Sequence, residues 1–161
     1  MTRARTPAVI LLASSGIALP GCLPLGCGDV GGVNGLDVQL QFSGAPLPDD
    51  DYTIVVRADG LEATIDVTYR ADGSGSETGP SELVDGSKHL ELSVALGPTY
   101  GLVDVGYLEG AGPAQVEIEM SRGTQVLADQ TFTPSYVVSY PNGESCPGTS
   151  DTAQAQLTVP L

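Results

Sequence analysis

Alternation of apolar and polar residues at every second position is the feature that most constrains this chain. It begins with Leu36, Val38, Leu40 and Phe42, which alternate with polar residues, and it returns in segment after segment up to Leu161. A period of two is typical of half-buried β-strands, whereas a helix would repeat at about 3.6 residues. From residue 36 onward, the sequence therefore predicts strands and no helix.

The clearest local prediction is a hairpin around Asp59-Gly60. Asp-Gly favours a two-residue type I′ turn, which places Ala58 opposite Leu61. Counting outward from that turn keeps every inward pair apolar, while the residues between them are mostly polar. The predicted pairs are Ala58 with Leu61, Val56 with Ala63, Ile54 with Ile65, and Tyr52 with Val67.

A second hairpin is predicted around Ser121-Arg122-Gly123. The alternating segment Val116–Met120 leads into these residues, and a three-residue loop would hold Gly123 in the left-handed conformation. This loop predicts the pairs Met120 with Thr124, Ile118 with Val126, and Val116 with Ala128.

Segments 90–96 and 155–161 alternate as cleanly as the first strand, but segment 102–109 does not. Leu102 and Leu108 fall on the face opposite to Val103 and Val105. Either a β-bulge or a second buried face would explain this pattern.

The segments amount to roughly seven or eight short strands, which is typical of an antiparallel β-sandwich of the immunoglobulin type. A small up-and-down barrel is the alternative. The chain has no tryptophan, so Phe42, Phe132 and the tyrosines are expected to supply the bulky core side chains. We expect one domain over residues 36–161 behind a glycine-rich tether over residues 22–35.

The N-terminal residues carry an export signal. Arg3 and Arg5 precede an apolar run that is too short for a permanent transmembrane helix, and this combination is typical of a secretory signal peptide. An ordinary signal peptide, cleaved beside a small residue, is the simplest interpretation of this segment alone.

The end of that run, Leu19-Pro20-Gly21-Cys22, resembles the lipobox of bacterial lipoproteins. The resemblance implies a signal peptide over residues 1–21 and a lipid anchor on Cys22, whose acyl chains hold a protein stably in a membrane. Cys27 is the alternative lipidation site, although Pro24 fits the −3 position less well. Since Leu23 rather than Asp follows Cys22, the resemblance implies the outer membrane of a Gram-negative cell envelope.

Two cysteines remain if Cys22 carries the lipid. Cys27 and Cys146 would then form a disulfide in an oxidising compartment. The chain-entropy model gives such a bridge about 4–5 kcal/mol of stabilisation. If Cys27 is lipidated instead, Cys146 is a lone thiol.

Charge excludes some partners. The chain has 6 Lys and Arg and 20 Asp and Glu, and loss of the signal with Arg3 and Arg5 leaves 4 − 20 = −16. Nucleic acid and anionic lipid head groups would be repelled, so we expect neither as a partner. A solvated acidic surface that keeps the protein monomeric is the simplest interpretation.

Two parts of the chain resemble a group of uncharacterised bacterial lipoproteins. One part is Leu127–Tyr136 together with Tyr140–Gly148, and the other is the hairpin over Tyr52–Val67. In that group a second cysteine often follows the Cys-Pro-Gly segment, and this chain has none after Cys146. The resemblance implies a class of exported lipoprotein and no particular activity.

No catalytic set stands out in the sequence. His89 is the only histidine and is expected on the exposed face of a strand. The chain contains no nucleophile motif, no phosphate loop and no zinc-ligand spacing, so we expect a non-enzymatic protein without a cofactor.

Two acidic loops are candidates for Ca²⁺ binding, namely Asp49-Asp50-Asp51 and the loop that begins at Asp72. Turn-forming residues in solvated loops are the simpler interpretation of both. Tyr136 and Tyr140 are candidates for a platform that stacks on a sugar ring or on a partner's proline, with core packing as the alternative.

These observations predict an exported, lipid-anchored envelope protein whose β-sandwich binds an envelope protein or a glycan, or has a structural role. The alternatives are a secreted hydrolase that uses paired carboxylates and a Ca²⁺-stabilised structural module.

Overall fold

The computed structural model describes residues 34–86, 88–107, 112–140 and 150–161. The predicted signal peptide, the tether up to residue 33, and Cys22, Cys27 and Cys146 lie outside these ranges. Within the ranges, no helix is long and apolar enough to cross a membrane.

The described residues form eleven strands, which make two sheets. The strands are β1 (Gly35–Ser43), β2 (Asp50–Ala58), β3 (Leu61–Tyr69), β4 (Ser76–Thr78), β5 (Glu82–Asp85), β6 (Lys88–Leu96), β7 (Tyr100–Tyr107), β8 (Val116–Arg122), β9 (Gln125–Phe132), β10 (Val137–Ser139) and β11 (Ser150–Pro160). The six-stranded sheet has the order β10-β11-β1-β7-β6-β5, and the five-stranded sheet has the order β4-β3-β2-β8-β9. The extra strands beyond the predicted seven or eight are the short ones, β4, β5 and β10, which are too short to show a period.

One hydrophobic core lies between the two sheets. Alternate residues of most of the long strands belong to it, including Leu36, Val38 and Leu40 on β1, whereas β9 contributes only Phe132 as a fully buried side chain. Two facing sheets with a shared core make an all-β sandwich. The bulky core side chains are Phe42, Phe132, Tyr52, Tyr69 and Tyr107, whereas Tyr100 and Tyr140 are exposed.

The first predicted hairpin is confirmed residue by residue. Ala58 pairs with Leu61, and the register continues through Ile54 and Ile65 to Tyr52 and Val67. Asp59 and Gly60 both have positive φ, 51° and 83°, as a type I′ turn requires.

The predicted register of the second hairpin is wrong. Arg122 pairs with Gln125, so the turn has two residues, and a β-bulge follows between Met120 and Ser121 on β8. The turn therefore lies at Gly123-Thr124, later than predicted, and the bulge adds one more residue on β9 at Leu127, so Met120 pairs with Ala128 instead of Thr124. As a result Val126, predicted to face inward, is exposed.

Strand β7 resolves the irregular segment. It pairs with β1 and with β6 without a register shift, so β7 itself, Tyr100–Tyr107, contains no β-bulge. Leu102 lies on the outer face of the sheet and is 40% exposed. Neither of the two explanations offered by the sequence applies to it, and Leu108 lies outside the described residues.

The first and last strands are parallel neighbours, an exception among antiparallel pairs. Gly35 pairs with Thr152 and Ser43 with Pro160, so β1 and β11 begin at the same end of the sandwich. The side-chain Oδ1 of Asn34 accepts a hydrogen bond from the backbone N–H of Asp151 at 2.9 Å. We call this end, where the tether joins the domain, the tether end.

Candidate binding face on the six-stranded sheet

The outer face of the six-stranded sheet carries a concentration of amide and carboxyl side chains. We define the amide–carboxylate face by nine of the outward residues on four adjacent strands. They are Asp37, Gln39 and Gln41 on β1, Tyr100, Leu102 and Asp104 on β7, Glu91 on β6, and Gln154 and Gln156 on β11.

The core fixes this display. Val38 and Leu40 on β1 and Val103 and Val105 on β7 are completely buried, and Leu157 of β11 is nearly so. Because side chains alternate between faces, a slip by one residue would turn the polar set inward and the apolar set outward. The face is therefore specified by the residues behind it.

Glutamines lie side by side on β1 and β11. Gln39 is directly opposite Gln156, and the Nε2 of Gln156 donates a hydrogen bond to the Oε1 of Gln41. This bond leaves N–H donors on Gln41 and an acceptor oxygen on Gln156 for another molecule. All four glutamines of the face are exposed.

Two carboxyl groups face each other beside the glutamines. Asp37 pairs directly with Asp104 across β1 and β7. Burial raises the pKa of Asp104, and the charge of Asp37, a hydrogen bond with its carboxyl and the charge of Glu91 raise that pKa further. The register of the strands thus holds the two carboxyls next to each other although their charges repel.

No cation balances these carboxyls among the side chains that the structure describes. Arg57 lies on β2, Arg70 directly after β3 and Arg122 at the end of β8, so all three arginines belong to the five-stranded sheet. Among the described side chains, the carboxyls of the amide–carboxylate face therefore lie beside neutral amides and have no arginine next to them.

Two large apolar side chains complete the face. Tyr100 is 60% exposed and lies opposite Gln41, and Leu102 lies opposite Gln39. An aromatic ring in this position offers a flat apolar surface within reach of the amides.

The outer face of the five-stranded sheet is different because its central charges are paired. The Nε of Arg57 is 2.6 Å from the Oε2 of Glu62, and its Nη1 contacts Glu117 and lies 3.6 Å from Glu119. Hydrogen bonds with Glu62 and Glu117 raise the pKa of Arg57. Such a network is explained by cross-strand pairing within the sheet.

The acidic loops predicted as Ca²⁺ candidates bind groups of the protein itself. Asp49 accepts the N–H of Ala71 at 2.8 Å, and Asp50 accepts the N–H of Asp51 at 2.9 Å. Asp51 accepts the hydroxyl of Thr68 at 2.9 Å.

The second acidic loop is organised in the same way. Asp72 accepts both the N–H and the hydroxyl of Ser74, and these bonds lower the pKa of Asp72. No group of three or more potential metal ligands comes together within the described residues.

The two predicted platform tyrosines have different surroundings. The ring of Tyr136 packs edge to face on Tyr107 at 5.5 Å, and its hydroxyl donates to the carbonyl of Pro113 at 3.3 Å. Burial raises the pKa of Tyr136 to about 12. Tyr140 is 47% exposed and has no ring partner among the described residues.

His89 is less exposed than the sequence suggests. Its side chain is 27% exposed, and its Nε2 lies 2.6 Å from the Oε1 of Glu82 on the neighbouring strand β5. This contact ties the edge strand β5 to β6.

In comparisons with known proteins, the chain matches no family model, no curated sequence and no solved structure. The roles of its residues are therefore argued from their geometry.

Sequence reasoning did not find the amide–carboxylate face. Its local signal was present in the outward residues Asp37, Gln39 and Gln41 and in the alternating glutamines near the C-terminus. The strand order β11-β1-β7, which brings these residues together, could not be predicted from the sequence.

Proposed function

We propose that this protein is an exported, lipid-anchored envelope protein whose β-sandwich binds a partner through the amide–carboxylate face, without catalysis. The observation that carries the proposal is the row of exposed amides and unbalanced carboxyls on adjacent strands, beside the exposed ring of Tyr100. Exposed polar groups arranged this densely on a rigid sheet are suited to recognition.

The anchor in this proposal is a diacylated Cys22, with Cys27 as the alternative, at the outer membrane of a Gram-negative cell. It is supported by the cationic start, the short apolar run and the lipobox-like residues 19–22. We propose a monomer, because the net charge of the processed chain opposes self-association.

A disulfide between Cys27 and Cys146 belongs to the same proposal. Asn34 and Asp151 are hydrogen-bonded neighbours at the tether end. Cys27 lies 34 − 27 = 7 residues before Asn34, and Cys146 lies 151 − 146 = 5 residues before Asp151. These lengths reach up to about 24 Å and 17 Å, so a bridge needs no change in the described strands.

We also propose that the sandwich is of the immunoglobulin type. Support comes from the chain path, which moves from one sheet to the other and back between β1, β2, β5, β8 and β10. In this proposal, β1 is an inner strand of the six-stranded sheet and lies between β11 and β7.

Binding is favoured over a carboxylate-dependent hydrolase by the surroundings of the Asp37–Asp104 pair. The clefts beside Arg70, Arg57 and Asp50 are lined by other residues, and neither aspartate belongs to them. Paired catalytic carboxylates act in a site that holds the substrate and excludes water, and a flat sheet face provides neither.

Intact-mass analysis of the protein from detergent-solubilised membranes tests the anchor. We expect a chain that begins at Cys22, is heavier by its lipid, and gains two hydrogens on reduction of the disulfide. A lipid-free chain in the medium would refute the anchor.

Site-specific photo-crosslinking in intact cells tests the face. We expect adducts from a crosslinking amino acid at Leu102 and none from the matched position Thr64, which is exposed on the five-stranded sheet. Equal labelling at the two positions, or none at Leu102, would contradict binding through this face.

A further inference from the structure

We infer that the ligand of the amide–carboxylate face is an uncharged polysaccharide that lies across β11, β1 and β7. This inference rests on the proposed function, since it names the class of partner that the same face would bind. Its first support is hydrogen-bond chemistry. A glutamine amide offers two donors and one acceptor, and a carboxylate offers only acceptors. A sugar hydroxyl can donate a hydrogen bond to one of these groups and accept one from another.

The geometry of the sheet repeats these groups at regular intervals. Neighbouring strands are about 4.8 Å apart, and outward residues on one strand recur at about 7 Å. Gln39 and Gln156 are direct neighbours across the strands, and Gln41 and Gln156 are already joined by a hydrogen bond. Amides that are oriented before binding lose less side-chain freedom when a ligand arrives.

Charge excludes anionic ligands from this face. Asp37 and Asp104 oppose each other with Glu91 nearby, and the described side chains of the face include no lysine or arginine. Phosphate groups, sulfated or uronic-acid polymers and nucleic acid would therefore meet repulsion without a compensating cation. Neutral hydroxyl-rich chains avoid that cost and still use the carboxylates as acceptors.

Tyr100 adds the apolar contact that a sugar ring needs. The side chain is 60% exposed at the end of the glutamine rows, directly opposite Gln41. One face of a pyranose ring consists of C–H groups, which can pack on an aromatic ring while the hydroxyls at its rim reach the amides. Leu102, 40% exposed, extends this strip toward the centre of the face.

A protein partner fits this surface less well. The cores of protein–protein interfaces are depleted in charge and enriched in aromatic residues, methionine and arginine. Here Tyr100 and Leu102 are the large apolar members of a face that otherwise consists of four amides and three carboxyls. A desolvated apolar core of that kind is missing from the defined face.

Affinity electrophoresis of the detergent-solubilised, full-length protein at pH 7 tests the inference. The native gels contain hydroxyethyl cellulose, galactomannan or dextran as uncharged polymers, diethylaminoethyl-dextran as a cationic polymer, or polygalacturonate as an anionic one. We expect retardation by at least one uncharged polymer and none by polygalacturonate. Tyr100→Ala and Gln39→Ala should each weaken that binding about tenfold, which corresponds to the loss of one stacking or hydrogen-bonding contact.

Val126→Ala and Thr64→Ala are the matched controls, because they remove an exposed apolar residue and an exposed polar residue from the five-stranded sheet. Both should bind like the original chain, and melting temperatures of all four variants show whether they fold. Retardation by the cationic polymer alone, or binding that survives both Tyr100→Ala and Gln39→Ala, would overturn the inference.

Absence of retardation in every uncharged gel would also overturn it. In that case a protein adduct from Leu102 in the crosslinking experiment would leave the proposed function standing, whereas the absence of any adduct would remove both.

Discussion

Replacing Asp104 by asparagine is expected to stabilise the protein at neutral pH, although it removes a charged residue from a partly buried position. Asp104 lies directly opposite Asp37, with Glu91 on the next strand, so at pH 7 like charges are held together by the strand register. Asparagine has nearly the same shape and can donate a hydrogen bond to the Asp37 carboxylate.

The size of the effect follows from the cross-strand geometry. Directly opposed side chains in a sheet interact by about 0.2–1 kcal/mol, and like charges in such pairs are destabilising. A gain of that order corresponds to a rise in melting temperature of roughly 1–4 °C for a domain of this length.

The pH dependence has a defined sign. The pKa of Asp104 is raised in the folded state, so the folded protein takes up a proton that the unfolded chain would still release. The contribution of this group to stability therefore grows as the pH falls through the raised pKa, and it is complete below the unfolded value of about 3.9. The advantage of Asp104→Asn should accordingly be largest at neutral pH and disappear near that value.

Thermal unfolding of the original chain, Asp104→Asn, Asp37→Asn and the double variant, measured between neutral and acid pH, tests the argument. Both single substitutions relieve the same repulsion. The double variant should therefore be stabilised by less than the sum of the two single effects. A destabilised Asp104→Asn at neutral pH, or an advantage that does not change with pH, would refute the reasoning.

Three further predictions concern packing, the charge network and the disulfide. Gly112→Ala should destabilise by about 1–3 kcal/mol in chemical unfolding, because a Cβ there would contact the ring of Tyr136 and lie 2.6 Å from the Cε1 of Tyr107; an unchanged midpoint would contradict this packing. Arg57→Met should lower the unfolding midpoint slightly in dilute buffer, and by less at about 1 M salt, since three carboxylates lose their shared partner. Cys146→Ser should lower the melting temperature and abolish its sensitivity to reductant, and a variant that still responds to reductant would exclude the proposed bridge.

Local chemistry explains how much of the fold the sequence could predict. In the first hairpin, the Asp59-Gly60 turn and the apolar alternation specify the same register, and that register is the one observed. In the second hairpin, the bulge beside Met120 adds a residue that neither the turn residues nor the apolar alternation predicts. The predicted register therefore failed because the turn lies at Gly123-Thr124 instead of Ser121-Arg122-Gly123, and the bulge shifts the pairing by one more residue.

The candidate face depends on contacts between distant parts of the chain. Asp37 and Asp104 are 67 residues apart, since 104 − 37 = 67, and no local pattern relates one to the other. In the sequence, Leu102 interrupts the alternation. Its place on an outer face becomes evident only from the pairing of β7 with β1, which sets Leu102 opposite Gln39. Alternation predicts which residues point outward, but only the strand order says which of them become neighbours.

The pairing of the first strand with the last has a consequence for how this chain folds. Asn34 and Asp151 are 117 residues apart in sequence, and closing so long a loop costs entropy before any contact between them is gained. During synthesis β1 emerges first, and one side of it remains without its neighbour until the final residues arrive. A chain that is cut short before β11 would leave the middle of the six-stranded sheet as an open edge, with the apolar side chains of β1 only partly covered. The six-stranded sheet is thereby complete only once β11 is present, and a copy without β11 should be prone to aggregation or proteolysis at its exposed edge.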